Sequence, residues 1–187
     1  MDTIEKNFVE NSQACKETLI KCSDDIKKAA KEIIGNYKKN GILLICGNGG
    51  SAADAQHFAG ELIGRFIKDR KSLPAIALTG NSSSVTAIGN DYGFEHVFER
   101  QVEAFGKNCV LFVISTSGNS ENIINAVKKA KVLGVNTIAL LGKDGGKMKG
   151  LGNLEIIVPS YNTQRIQEMH ILIIHTICEI IEQELTK

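Results

Sequence analysis

From about residue 2 to 40 the apolar positions Ile4, Phe8, Cys15, Leu19, Cys22 and Ile26 recur at threes, fours and sevens among lysines and glutamates. That period puts them on one side of a helix, so this stretch predicts one or two amphipathic helices. The texture then changes. GILLIC, PAIALT, CVLFVIS, VNTIALLG and LEIIVPS are short aliphatic runs bounded by Gly, Pro, Asn or Ser. Nearly continuous apolar runs of this length predict strands buried on both faces, as in a parallel sheet. Helix-like segments separate them: Ser51 to Phe66, Ser82 to Ala104 with an interruption near Asn90 and Gly93, and Glu121 to Leu133. A closing helix is expected from Thr163 to Leu185, where Ile166, Met169, Ile173, Ile177 and Ile180 recur at threes and fours. Strand and helix thus alternate, the signature of a three-layer α/β domain. The expected organisation is a single domain over residues 1–187, with residues 1–40 a helical arm used in packing or oligomerisation.

Composition narrows the partners. The chain has 187 residues, 43% hydrophobic, with 22 basic and 21 acidic side chains and a formal net charge of +1. That length supports one well-formed core. No whole-molecule field draws it to nucleic acid or to an anionic membrane. The charged N-terminus lacks the apolar centre of a signal peptide, and no run approaches the roughly 18 apolar residues of a membrane span. A cytoplasmic protein is the expectation. Cys15, Cys22, Cys46, Cys109 and Cys178 are odd in number and show no CxxC spacing, which suits buried free thiols in a reducing compartment.

Two loops carry candidate chemistry. LLICGNGGSAADA and FVISTSGNSENII each run from strand through small residues into helix, and two such loops in one parallel sheet point to a ligand crevice at the carboxyl ends of the strands. The first loop, Gly47 to Ala52, satisfies a relaxed G-x-G-x-x-A dinucleotide spacing, but the second strand ends at Thr79 and Gly80 with no acid to hold a ribose. Neither loop has the Gly-Lys-Ser/Thr ending of a nucleotide phosphate loop. What remains is a monophosphate held by backbone N–H groups at a helix N-terminus. The second loop adds Ser115, Thr116, Ser117 and Ser120, whose hydroxyls donate to phosphate oxygens. The competing reading is a capped turn, with Ser120 as N-cap and Gly118 and Asn119 in the turn.

His57 and Glu61 lie four residues apart and share a helix face, so both can reach one metal ion or one substrate. Imidazole and carboxylate suit zinc. In the last helix His175 stands between Ile174 and Ile177, an unfavourable place for a polar ring without a partner. A surface His/Glu pair and a satisfied core histidine are the competing accounts.

GNGGSAADAQHFAGEL, AIGNDYGFE, STSGNSENI and RIQEMHILIIH, in that order, resemble the phosphoheptose isomerases of the sugar isomerase (SIS) domain group over essentially the whole chain. The resemblance implies a flavodoxin-like five-stranded parallel sheet flanked by helices, assembled as a homotetramer with active sites between subunits. It implies conversion of sedoheptulose 7-phosphate to D-glycero-D-manno-heptose 7-phosphate, the first step toward the heptose of bacterial surface glycans. One zinc ion per subunit is implied, with ligands His57, Glu61, Gln167 and His175. Substrate contacts are implied at Asn48, Gly49, Gly50, Asn90, Asp91, Ser115, Thr116, Ser117, Ser120 and Gln167.

Isomerising a 2-ketose through an enediol needs a base at C1 and an acid at C2, for which Glu61 and His175 are the candidates. A metal-held carboxylate is a poorer base, so the two roles of Glu61 are in tension. Gln167 and His175 stand about 12 Å apart along one regular helix. Both reach one ion only if Gln167 leans far, if the helix bends or starts late, or if the two come from different subunits; a subunit-interface site is expected.

Three other readings compete. A non-catalytic tetramer resembling the DnaA initiator-associating protein shares the SAADAQHFA stretch, which differs from isomerases carrying SHCDAM there, but should lack ligands at positions 61 and 175. A phosphosugar-sensing module needs no base. A dinucleotide oxidoreductase needs the missing acid.

Overall fold

The five apolar runs become five strands, and their burial on both sides dictates what surrounds them. The computed structural model describes residues 1–186. Strands β1 (Ile42–Gly47), β2 (Ala75–Ala77), β3 (Cys109–Ser115), β4 (Asn136–Gly142) and β5 (Leu154–Val158) form one sheet in the order β2-β1-β3-β4-β5. Every neighbouring pair is parallel. Parallel neighbours need crossovers, and these supply the covering layers. They comprise α2 (Gly50–Ile63), α3 (Ser82–Tyr92), α4 (Glu99–Phe105) and α5 (Glu121–Leu133), with α1 (Thr3–Lys38) before the sheet and α6 (Thr163–Leu185) after it.

The strand period of two sorts the core into halves. Val110, Phe112 and Ile114 of β3 face the side of α1, α2 and α6. Cys109, Leu111 and Val113 face the side of α4 and α5. The chain leaves β1 toward β2 on one side and returns to β3 on the other, which opens a crevice at the carboxyl ends of β1 and β3.

The expected flavodoxin-like sheet is thus present, and the N-terminal segment is one 36-residue helix. Its packing face keeps Cys22 and Ile26 of the expected stripe but not Ile4, Phe8 or Leu19. Ile4, Phe8 and Leu19 are 71%, 75% and 69% exposed, whereas the buried line runs through Ala14, Thr18, Cys22, Ile26, Ala29, Ile33 and Tyr37. Two apolar faces run along α1, and the packed one mixes small residues with Ile26, Ile33 and Tyr37. The expected helix over residues 82–104 is broken at Gly93, whose φ of 99° ends α3. No residue of α3 is buried. All five cysteines are free thiols, four of them buried, and burial pushes the pKa of Cys46 and Cys178 up so that both stay protonated. Among the described residues no helix is long and apolar enough to cross a membrane.

His170 joins α6 to the sheet. Its ring is fully buried, and Nε2 donates to the Leu141 carbonyl at the end of β4, 3.0 Å away. Burial lowers its pKa to about 4, an effect that the bond to Leu141 only partly opposes. The folded protein therefore takes up this proton later than the unfolded chain as pH falls. The stability contributed by neutral His170 is full above the ordinary imidazole value of 6.5 and is lost between there and about 4. Urea unfolding across this range should show falling stability, with a shallower slope in His170→Gln, which keeps a donor for Leu141 but does not titrate.

Candidate active site

The first loop turns sharply because Gly49 sits at φ 55° and ψ −121°, a conformation disfavoured for any residue with a Cβ. Helix α2 starts there with no side-chain cap, so its first N–H groups are left for a ligand. Asn48 is held across the crevice. Its Nδ2 donates to Oδ1 of Asn122 at 2.8 Å, and Nδ2 of Asn122 donates back to Oδ1 of Asn48 at 2.9 Å. This reciprocal amide pair ties the first loop to the first turn of α5.

In the second loop the hydroxyls divide. Ser115 accepts from the Gly118 N–H at 3.1 Å, and Ser117 accepts from the Asn119 N–H at 3.2 Å. Both thereby shape the turn. Ser120 occupies the N-cap position of α5 yet makes no capping bond through its side chain, so the capping account of this residue fails. Gly118, at φ 64°, presses against the segment after β4: a Cβ there would run into the Gly145 carbonyl. The Gly118 carbonyl accepts from Met148 N–H, and Asn119 Oδ1 accepts from Lys147 N–H, each at 3.0 Å. The Thr116 carbonyl lies close over Gly142. Asn48, Ser120 and Asn122, with Phe94, Glu95 and Glu121, line a cleft of about 510 Å³.

The remaining expected residues fall elsewhere. Asn90 and Asp91 lie exposed near the end of α3, bonded to each other at 2.8 Å. His57 and Glu61 on α2 meet His175 on α6. Nε2 of His57 is 2.8 Å from Nε2 of His175 and 3.3 Å from Oε1 of Glu61. One ligand atom from each residue can be chosen so that all lie within 4.8 Å of one another. The Phe66 ring lies 5.6 Å from that of His175.

The donor set fits a divalent ion. Tetrahedral zinc with Zn–N near 2.0–2.1 Å holds two ligand nitrogens about 3.3 Å apart, so the observed contacts need to open by well under an ångström. Two ring nitrogens facing each other across a single shared proton become two lone-pair donors once that proton leaves.

Gln167 stands elsewhere on α6. Its amide rests over Gly50, where a Cβ would collide with Nε2. Helix α6 is already established at Thr163, so a late start cannot shorten the distance to His175. Sequence reasoning missed Asn122, which reads locally as an ordinary first-turn residue. It also missed Asp54, one turn before His57. Burial raises the Asp54 pKa, His57 partly offsetting it, and its Oδ2 is buried without a hydrogen-bond partner among the described residues.

Comparison with known proteins identifies the family. A family model for the SIS domain matches residues 7–142. A phosphoheptose isomerase of Helicobacter pylori is 53% identical over 183 residues, 97% of this chain and 95% of that protein. One of Campylobacter jejuni is 54% identical over 184 residues, 98% of both chains. The solved structure of a phosphoheptose isomerase from Francisella tularensis superposes with a TM-score of 0.93 at 43% identity, covering 98% of this chain and 100% of that one. The chain belongs to the SIS domain family and, within it, to the phosphoheptose isomerases, which makes it an enzyme.

The crowding at Gly118 is directly testable. Gly118→Ala combines a left-handed backbone with a clash against main chain and should lower the unfolding free energy by about 2 kcal/mol in urea denaturation.

Proposed function

We propose that the protein interconverts sedoheptulose 7-phosphate and D-glycero-D-manno-heptose 7-phosphate, opening the route to the heptose of surface glycans in the cytoplasm. The observation that carries this reading is the convergence of His57, Glu61 and His175 from two helices, in a chain with close isomerase relatives.

The reaction is redox-neutral: a proton leaves C1, another arrives at C2, and the hydroxyl proton of O1 is exchanged for one on O2. Glu61 removes the C1 proton, and His175 returns one at C2. Without the ion, His57 orients the His175 ring through their nitrogen contact of 2.8 Å. A zinc ion, one per subunit, would be held by His57, Glu61, His175 and Gln167, and when bound supplies Lewis acidity at the C1 and C2 oxygens.

The phosphate is assigned to the cleft, where the starts of α2 and α5 offer N–H groups and Ser120 a hydroxyl without a capping bond. Asn48, Gly49, Gly50, Thr116 and the turn set by Ser115 and Ser117 complete this end. His57 lies about two turns along α2 from Gly50, so carbonyl and phosphate can sit at opposite ends of one open-chain substrate.

Assembly as a homotetramer with shared sites accounts for features a lone chain leaves unexplained. Ile4, Phe8 and Leu19 expose an apolar face, α3 buries nothing while carrying Asn90 and Asp91, and Gln167 stands a helix segment away from His175. A neighbouring chain supplying one of the two is the simplest route to a four-ligand site.

Kinetics with sedoheptulose 7-phosphate should separate the two ends of the site. Glu61→Gln and His175→Gln are expected to lower kcat by about 100-fold or more. Ser120→Ala and Asn122→Ala should instead raise KM by about fivefold, the effect of one net hydrogen bond. Unaltered kcat in both of the first pair would sink the mechanism. Light scattering on the eluting protein should report a tetramer, and Phe8→Glu with Leu19→Glu a smaller species.

A further inference from the structure

Helices α2 and α6 bring the three metal-type side chains together, yet each donor sits on a side chain with free torsions. Something must fix how the helices lie. A buried ion pair joins them beyond the cluster.

Arg70 follows α2 in the segment leading to β2. Its Nη2 donates to the Glu61 carbonyl and its Nη1 to the Leu62 carbonyl, both at 2.8 Å, and Nη1 also reaches the Lys71 carbonyl at 3.1 Å. The guanidinium thus caps the last turn of α2, whose carbonyls have no partners within the helix. Its Nε lies 3.3 Å from Oε1 of Glu182, an ion pair and not an aligned hydrogen bond. Glu182 is on α6, two turns beyond His175. It accepts the backbone N–H of Phe66 at 3.3 Å and those of Ile67 and Lys68 at 2.9 Å. The side chains of Arg70 and Glu182 are only 4% and 3% exposed. Burial alone would raise the Glu182 pKa, but the three N–H donors and Arg70 outweigh it and hold the group ionised below the ordinary carboxylate value.

The attraction within a buried ion pair adds little net stability, because desolvation offsets it, whereas the backbone groups that this pair bonds would lose their partners in an apolar replacement. What distinguishes this pair is where its bonds end. One falls on the backbone of Glu61. Another falls on the amide of Phe66, whose ring lies against His175. The carboxylate itself belongs to the helix that carries His175.

We propose that Arg70 and Glu182 are positioning residues for the reaction, holding α2 and α6 so that His57, Glu61 and His175 share one divalent ion and fixing Phe66 against His175. This rests on the metal-assisted isomerase reading above. Lysine cannot replace Arg70, since its single ammonium cannot span two carbonyls and a carboxylate in the fixed fork of a guanidinium.

The test uses the full-length protein stripped of metal, with zinc affinity measured by competition against a chromophoric chelator and thermal unfolding followed by circular dichroism. Arg70→Lys, Glu182→Gln and the apolar double variant Arg70→Met with Glu182→Leu are compared with wild type. Positioning predicts that the double variant, less stable because the backbone groups bonded by the pair lose their partners, still unfolds cooperatively and in its folded state binds zinc about 10–100-fold more weakly, the range seen when supporting partners of ligands are lost. Its kcat should fall more than its KM changes. Arg70→Lys, folded, should also bind zinc more weakly. A folded double variant with wild-type zinc affinity overturns the proposal, as does a folded Arg70→Lys with wild-type affinity if the double variant does not fold. Wild-type protein that binds no zinc would overturn the metal reading and this proposal together; wild-type binding with unchanged variants overturns this proposal alone.

Discussion

The bond from the buried His170 ring to the Leu141 carbonyl fixes α6 against the end of β4, and much of the site follows from where α6 lies. Toward its start, Arg165 donates to the Asn7 carbonyl of α1 at 2.6 Å and pairs with Glu168 at 2.5 Å. One residue before Glu168, Gln167 covers Gly50. Farther along, His175 meets His57, and Glu182 gathers the segment after α2. Moving this helix would disturb the crevice, the cluster and the N-terminal helix at once. A neutral, desolvated imidazole holds the junction by hydrogen bonding, without bringing a charge into the interior.

The two loops look alike in sequence and do different work. Around Gly49 the backbone is bare and leads into an uncapped helix. Around Gly118 the side chains build the turn, Ser115 and Ser117 each accepting a backbone N–H. The Asn48–Asn122 pair joins these unequal halves across the point where strand order reverses. Its reciprocal geometry fixes both amides, since flipping either one would oppose like groups.

Much of the fold was legible because burial on both faces writes itself as uninterrupted aliphatic runs. The expected 109–115 strand and the helices over residues 121–133 and 163–185 match the structure at both ends. The packing face of α1 was legible only in part: Cys22 and Ile26 are buried as the period suggests, while Ile4, Phe8 and Leu19 follow the same period and stand exposed. Periodicity reports that a face is apolar, not what covers it. The spacing of His57 and Glu61 on one helix and the polarity of His175 among isoleucines marked candidates only, with a surface pair and a core histidine as competing accounts; the family resemblance is what grouped them as ligands. Arg70 and Glu182 gave no such signal: they are distant in sequence, and a charged residue near the end of an amphipathic helix ordinarily faces water.

The close approach of Gly118 to Gly145 limits how the serine loop can move. With main chain against main chain there, and further bonds from Gly118 and Asn119 to Met148 and Lys147, the serine loop cannot act as a flap. It is part of a two-loop wall whose shape is set before any ligand arrives. Little conformational entropy would then be lost by this wall on capture of a ligand, so any contact it makes would translate more fully into affinity.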